Sequence, residues 1–552
     1  MKKYFYLIVA IFFAACLYLW NSHLLTNTAI TLPEAQTTEN ILLVPLDSRP
    51  VSTSMVQKLG HIAGLNVILP PKTLLDNYQK SADKEKLALW LKKNINKQCR
   101  AIISADLLLH GSLLEGRQDT ASPEEQSALI GLFKELRAQS DCQTDIFSII
   151  PRLLVSDQLL PDSWYQYHLM RYSELTDMVE ISSDYLLTEE LLAMKERIPP
   201  AILGKYIKLY ASSTDFNLAL LNLADAKTNI IIGQDDTLPL GLPQGCARKV
   251  RQYLNGKNLY PYAAFTYGAD EIATLLLARN FLALSSEKPK IFFHYANPKI
   301  KFTYMPYMAA SVSTILLNQM ELLGLEEILD EAKADIIFYI NCGSDKFRPG
   351  EKETAELEKL LAGGKKVALV DLSSNFEAEE LLMPKLLKKG VAVHKLIAFA
   401  GWNTFSNSSG TAFAQAILFS QRLKQLENAN ASQETIAALY ADNLRFTLER
   451  ILDDFFYQKK LHAKLRKILM WQWSDSYNLT EEEKAELTRT LQADMSFAAE
   501  ILLRKLCDTP FYANAKNEYY LRELRVGAKL PWNRIFEVEL NVHTSIGIKM
   551  NK

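Results

Sequence analysis

The feature that most constrains this chain is a series of short apolar runs, each closed by polar residues and separated from the next by helix-length sequence. Ile41-Leu42-Leu43-Val44-Pro45 leads into Leu46-Asp47-Ser48-Arg49-Pro50, and Val67-Ile68-Leu69 into Pro70-Pro71. Arg100-Ala101-Ile102-Ile103-Ser104 ends in Ala105-Asp106, and Asp145-Ile146-Phe147-Ser148-Ile149-Ile150 in Pro151-Arg152. A helical stretch from about Ser163 to Ala226 follows, and then Ile230-Ile231-Ile232-Gly233-Gln234 delivers Asp235-Asp236. Further runs are Ala263–Thr266, Lys290–His294, Ile336–Ile340, Val367–Val370 and Lys395–Phe399. Continuous apolar runs describe strands buried on both faces, and helices between them make the strands parallel.

Two architectures satisfy that pattern: a (β/α)8-like barrel, or a doubly wound parallel sheet followed by a helical C-terminal region. The expected division is an α/β barrel-like catalytic region over 40–288 and a second α/β region, or barrel continuation, over 289–420. A mostly helical region over 421–552 completes the chain, with Trp532–Val538 as a closing strand.

Both architectures build their sites at the carboxyl ends of strands. Polar residues stand there repeatedly: Asp47, Arg49, Asp106, Arg152, Asp235, Asp236, Asp270, Glu271, Asn341, Asp345, Asp371 and Asn375. Asp235 and Asp236 are the candidate catalytic pair, because adjacent carboxylates can divide acid–base work. Successive strand residues face opposite sides, so the pair can serve one site only if the strand has turned. Gly233 offers that turn. Asp47, Arg49, Asp106, Asp270 and Glu271 are candidate substrate-binding residues, although Asp270 and Glu271 equally suit a helix N-terminus. In Gly401-Trp402-Asn403-Thr404, Trp402 can stack on a sugar ring while Asn403 and Asn407 bond hydroxyls. Alternatively, Asn403 and Thr404 cap the helix that follows and Trp402 packs beneath it.

Composition narrows the partners. With 62 Lys and Arg against 63 Asp and Glu, the net charge of −1 carries no nucleic-acid footprint. The 24 Tyr and 24 Phe suit sugar-stacking surfaces as well as cores. His110, His294 and His394 lack zinc-site spacing, and no Gly-x-Ser-x-Gly elbow occurs. No cofactor is expected; magnesium or calcium stays open, since oxygen ligands suffice if Asp47, Asp106, Asp235 and Asp270 converge.

Lys2-Lys3 followed by an apolar run from Tyr4 to Trp20 marks 1–25 as a signal peptide or N-terminal membrane anchor, with a linker over 26–39. The run is near the lower limit for spanning a bilayer. Phe13-Ala14-Ala15-Cys16 resembles a bacterial lipobox, but the apolar run continues past Cys16, which fits an uncleaved anchor better. The expected location is extracytoplasmic, with lipoprotein or secreted forms as alternatives. Of the remaining cysteines, Cys99 and Cys142 could pair, and none forms a CxxC motif.

Five segments carry a family resemblance. They are Val44-Pro45-Leu46-Asp47-Ser48-Arg49-Pro50-Val51, Ile232-Gly233-Gln234-Asp235-Asp236, Gly268-Ala269-Asp270-Glu271, Ala400-Gly401-Trp402-Asn403-Thr404 and Leu530-Pro531-Trp532-Asn533-Arg534-Ile535-Phe536-Glu537. In that order, over roughly Asn40 to Val542, the chain resembles the bacterial family catalogued as domain of unknown function 4127. Ser48 and Tyr267 depart from the residues common there, which are Asp and Pro. The order of parts is also similar to family 84 glycoside hydrolases, (β/α)8 β-N-acetylglucosaminidases with an Arg-Pro turn, an Asp-Asp strand end and an Asn-rich helix start. Arg49-Pro50, Asp235-Asp236 and the segment from Asn403 to Asn407 hold similar relative positions. That resemblance implies that Asp235 orients a substrate acetamido group and that Asp236 is the general acid and then base.

The expected function is an extracytoplasmic carbohydrate-active enzyme, a glycoside hydrolase of N-acetylhexosaminidase-like type acting on a saccharide or glycan. The alternatives are an envelope-tethered, non-catalytic saccharide-binding protein and a metal-dependent hydrolase.

Overall fold

A computed structural model describes residues 28–33, 37, 39–96, 100–118, 120–154, 164–285 and 287–551. The apolar run at 4–20, Cys16 and Cys99 lie outside the described residues. Among the described residues no helix is long and apolar enough to cross a membrane.

A short strand, β1 (Thr28–Ile30), leads into six strands that form one open, wholly parallel sheet. They are β2 (Glu39–Val44), β3 (Leu65–Ile68), β4 (Arg100–Ser104), β5 (Gln143–Ile150), β6 (Thr228–Gln234) and β7 (Ala263–Tyr267). Their spatial order is β3-β2-β4-β5-β6-β7. Pleating sends alternate residues of each run into two cores. Ile41, Leu43, Ile102, Phe147 and Ile231 pack on one side, and Leu42, Val44, Ile103, Ile146, Ile230 and Ile232 on the other. Each strand therefore needs apolar side chains at every position, which explains the uninterrupted runs.

A second open parallel sheet comprises β8 (Ile291–Tyr295), β9 (Ile336–Gly343), β10 (Val367–Ser373) and β11 (Ala398–Ala400), in the order β11-β10-β9-β8. The expected barrel is not formed. Its first six strands make the first sheet, and the runs from Ile291 pair among themselves rather than closing on β2. The described strands thus give no barrel for the family 84 similarity to rest on; the chain is mixed α/β, with one parallel sheet of six strands, a second of four, and a helical C-terminal region.

The helix Phe405–Asn428 is buried along most of its length and packs against the helix Ile272–Leu282, which ties the two sheets into one core. Helices Gln433–Arg450, His462–Gln472 and Glu481–Leu506 form the helical C-terminal part, with an eleven-residue π-helix at Ile451–Leu461. Helix starts follow capping rules: Asp83, Ser122, Ser311, Ser432 and Thr480 each accept the backbone N–H three residues on.

The chain ends in an antiparallel sheet that contains β12 (Tyr512–Ala513), β13 (Asn517–Lys529) and β14 (Glu539–Met550), in the order β1-β14-β13-β12. Trp532–Val538 is not the expected closing strand but the connection between β13 and β14. Pro531 and a run of backbone bends break the pairing, and the apolar residues there turn inward instead.

Candidate active site

In the first sheet the connections reverse direction between β2 and β4, which lie side by side. A crevice opens outside the carboxyl ends at such a switch point. A polar cleft of about 580 Å³ occupies this edge. Arg49 enters it from the loop after β2, Arg152 after β5, Asp235 and Asp236 after β6, and Asp270 and Glu271 after β7. Asn403 and Asn407 close one wall from the second sheet, where β11 leads into the helix Phe405–Asn428.

Arg49 organises the β2 side. Its Nε donates to Asp47 Oδ2 at 2.8 Å, while Nη1 and Nη2 donate to the two carboxyl oxygens of Asp270 at 3.2 and 2.5 Å. Burial pulls the Arg49 pKa down, but Asp270 and Asp47 outweigh it and hold the guanidinium charged well above its ordinary range. Arg117 does the same for the acid pair, donating from Nε to Asp235 Oδ2 at 2.6 Å. Asp235 Oδ1 accepts the Asp236 backbone N–H at 2.8 Å.

The two adjacent carboxyls are pushed apart electrostatically. Burial raises the Asp235 pKa, but Arg117 and Arg152 outweigh burial and leave it below the usual carboxylate range. Burial and the neighbouring Asp235 charge drive Asp236 the other way, to about 7. Both line the cleft because β6 ends at Gln234, so strand alternation no longer separates them. Gly233 is not the turn. It lies inside β6, and a Cβ there would press into Ile272, Ile149 and the Gly268 carbonyl. The glycine permits close packing of β6 against the β7 loop, where Gly268, at φ +95°, donates its N–H to the Gln234 carbonyl.

Glu271 is buried beneath this rim and pushed to about 8, chiefly by burial. It sits at the start of the helix Ile272–Leu282 without capping it through its side chain. The neighbouring Ser406 hydroxyl acts on its carboxyl without a full hydrogen-bond geometry, and among the described residues Asn407 Nδ2, also buried at the cleft wall, meets no partner. Buried polar atoms left without partners mark where a bound molecule's polar groups could complete the set.

Three expected binding residues stand elsewhere. Asp47 is fully buried behind Arg49 and acts through it. Asp106 lies beneath the floor, where its Oδ2 accepts the Ile149 N–H at 3.0 Å and burial raises its pKa to about 8. Trp402 packs on Phe536, with ring centroids 5.4 Å apart, and only Phe536 reaches the cleft. Thr404 occupies the cap position of the following helix but forms no side-chain cap. Asn341 and Asp371, at the ends of β9 and β10, bond each other at 2.7 Å, and Asp371 accepts the Leu382 and Met383 N–H groups. They anchor a helix start rather than a ligand. Among the described residues no three His, Cys, Asp or Glu side chains converge with metal-ligand spacing. Asp47 and Asp270 meet across an arginine instead.

The far wall comes from residues that strand-end reasoning does not reach: Arg117, Tyr78, Tyr477, Asn478 and Arg534. Arg534 pairs with Glu537 and lies 4.7 Å from the Trp532 ring and 4.9 Å from Tyr78. Trp532 in turn donates from Nε1 to Ser48 Oγ at 3.0 Å. The π-helix braces two walls at once. Asp454 accepts the Gly401 N–H at 2.8 Å, Tyr457 donates to the Ile535 carbonyl at 2.5 Å, and Gln458 donates to the Phe536 carbonyl at 3.2 Å. Wide helical turns of this kind often mark functional positions.

All five segments that carry the family resemblance thus meet at one cleft or directly behind it. The family described as protein of unknown function, DUF4127, matches residues 41–541. The chain belongs to that family. No curated protein and no solved structure matches it. In this DUF4127 member the chemistry must be read from the cleft itself, and the signal that locates it is the motif set taken together rather than any single motif.

Proposed function

We propose that the protein is a carbohydrate-active enzyme that hydrolyses glycosidic bonds, held outside the cytoplasm by its N-terminal apolar segment. The observation that carries this reading is the placement of Asp235 and Asp236 in one cleft with their proton affinities pushed in opposite directions. Two titratable groups separated in this way can take complementary acid and base roles. Asp236, protonated near neutral pH, gives its proton to the leaving oxygen as the glycosidic C–O bond breaks. Asp235, fixed as an anion by Arg117, stabilises positive charge at the anomeric carbon. Water then adds to that carbon and returns a proton to Asp236. Asn403, Asn407, Asp270 and Glu271 supply hydrogen bonds to sugar hydroxyls or an acetamido group.

A chain beginning at Thr28 keeps every described strand and helix. It should release aryl alcohol from at least one member of an aryl glycoside panel that includes N-acetylhexosaminides. Full activity in both Asp235→Asn and Asp236→Asn would dismiss the assigned roles. A non-catalytic saccharide-binding protein is the second reading, favoured by the buried Asn407 Nδ2, which meets no partner among the described residues and needs only a ligand. Saccharide binding without turnover by the unaltered chain would select it.

A further inference from the structure

The helix that leaves the cleft's π-helix brace carries a surface that the proposed hydrolysis does not use. From Phe455 to Ser474 the chain has Lys459, Lys460, Lys464, Arg466 and Lys467 and not one acidic residue. Leu465 and Leu469 bury the inner face of His462–Gln472 and fix its rotation. Met470, Trp471 and Trp473 therefore point away from the core, at 66, 86 and 97 % exposure. Lys460, Lys464, Lys467, Ile468 and Trp471 frame a shallow hollow of about 540 Å³. Lys464 is paired with Asp494 at 2.6 Å, whereas among the described residues Arg466 and Lys467 have no carboxylate at ion-pair distance. Exposing two tryptophans to water is costly in apolar area, and none of the described residues covers either.

We propose that this helix end, from Lys460 to Trp473, docks on an anionic phospholipid surface. Tryptophan rings settle at the headgroup level, where an apolar body and a polar N–H are both accommodated. Each basic residue close to an anionic surface strengthens attachment roughly fivefold. One weak signal gives reversible binding, and two acting together give stable attachment. The surface supplies both kinds, aromatic and basic, independently of the 4–20 segment and of the hydrolytic reading. Asp475, Tyr477 and Asn478, immediately beyond Trp473, line the cleft. Docking there sets the cleft mouth beside the membrane, so the molecule it takes is one presented at that surface.

The test uses the full chain, acrylamide quenching of tryptophan fluorescence, and vesicles of phosphatidylcholine alone or mixed equally with phosphatidylglycerol. Subtracting the signal of the Trp471→Ser/Trp473→Ser variant isolates these two residues whatever the N-terminal segment does. Their quenching should fall severalfold with the anionic vesicles, stay unchanged with the neutral ones, and recover in high salt. Arg466→Glu/Lys467→Glu, which alters only exposed groups, should weaken attachment to the anionic vesicles by at least about 25-fold. Quenching that stays unchanged when the protein co-floats with anionic vesicles would overturn the proposal. So would protection of the same tryptophans by soluble oligosaccharide without vesicles, which would make the surface a sugar platform.

Discussion

Arg49 and Asp270, 221 residues apart in the chain, face each other through two buried hydrogen bonds in the lining of one cleft. The same guanidinium holds Asp47, so one buried cation neutralises two carboxylates from different strand ends. Removing the cation leaves both acids buried and uncompensated. Arg49→Met should therefore lower unfolding free energy by roughly 3–5 kcal/mol. Adding Asp47→Asn and Asp270→Asn should recover part of that loss. Denaturant titrations of the three variants check it, and a loss under about 1 kcal/mol for Arg49→Met would mean that the triad is not formed.

How much of this was legible in the sequence follows from which contacts are local. Each parallel strand is written in consecutive apolar residues, because pleating exposes neither face, and the acids at strand ends follow directly. Sheet closure is not written there. Whether the run at Ile291 pairs with β7 or starts a new sheet depends on packing across hundreds of residues. Arg117 and Tyr78 reach the cleft from loops with no periodic signal, and no local pattern pairs Arg117 with Asp235. The sequence leaves Trp402 open to stacking on a sugar or packing inside, and only the tertiary structure decides: Asn403 takes φ +67° and reaches the cleft while Trp402 turns to Phe536.

The acid pair predicts a pH profile. Asp235 must be ionised and Asp236 protonated, so activity should be high in weak acid and fall as pH rises through about 7. Asp236→Asn should lower kcat by roughly 10²–10⁴-fold and flatten the alkaline limb. Arg117→Met withdraws the cation that holds Asp235 ionised, and the acid limb should move up by about 1–3 pH units. Initial rates on the best aryl glycoside across pH 4–9 decide this; an unmoved acid limb in Arg117→Met would separate Asp235 from that titration.

Gly233 tests the close packing of β6 against the β7 loop. Gly233→Ala puts a methyl group into Ile272, Ile149 and a backbone carbonyl, so β6 and the β7 loop must separate. The expected cost is about 1–3 kcal/mol, with the cleft acids displaced as well. Thermal unfolding should show a lower Tm together with reduced kcat. An unchanged Tm would show that the loop can yield freely there.

Glu271 links the site to stability through its raised pKa. In the unfolded chain it titrates near its ordinary value of 4.5, and in the folded chain near 8. The folded state therefore binds this proton more tightly, and stability declines as pH rises from about 4.5 to about 8. Glu271→Gln removes the titration while keeping the shape. The variant should gain stability relative to the parent across that window, by a few kcal/mol at most, and run parallel to it on either side. Urea midpoints at pH 4, 6 and 9 measure the trend. A saccharide that bonds Asn407 and the side chain at 271 should stabilise the variant at all three pH values, because its side-chain amide keeps a donor that the ionised carboxylate lacks. A stability difference that does not vary with pH would mean that Glu271 is ionised in the folded protein, and its place among the hydrogen-bond donors of the cleft would be lost.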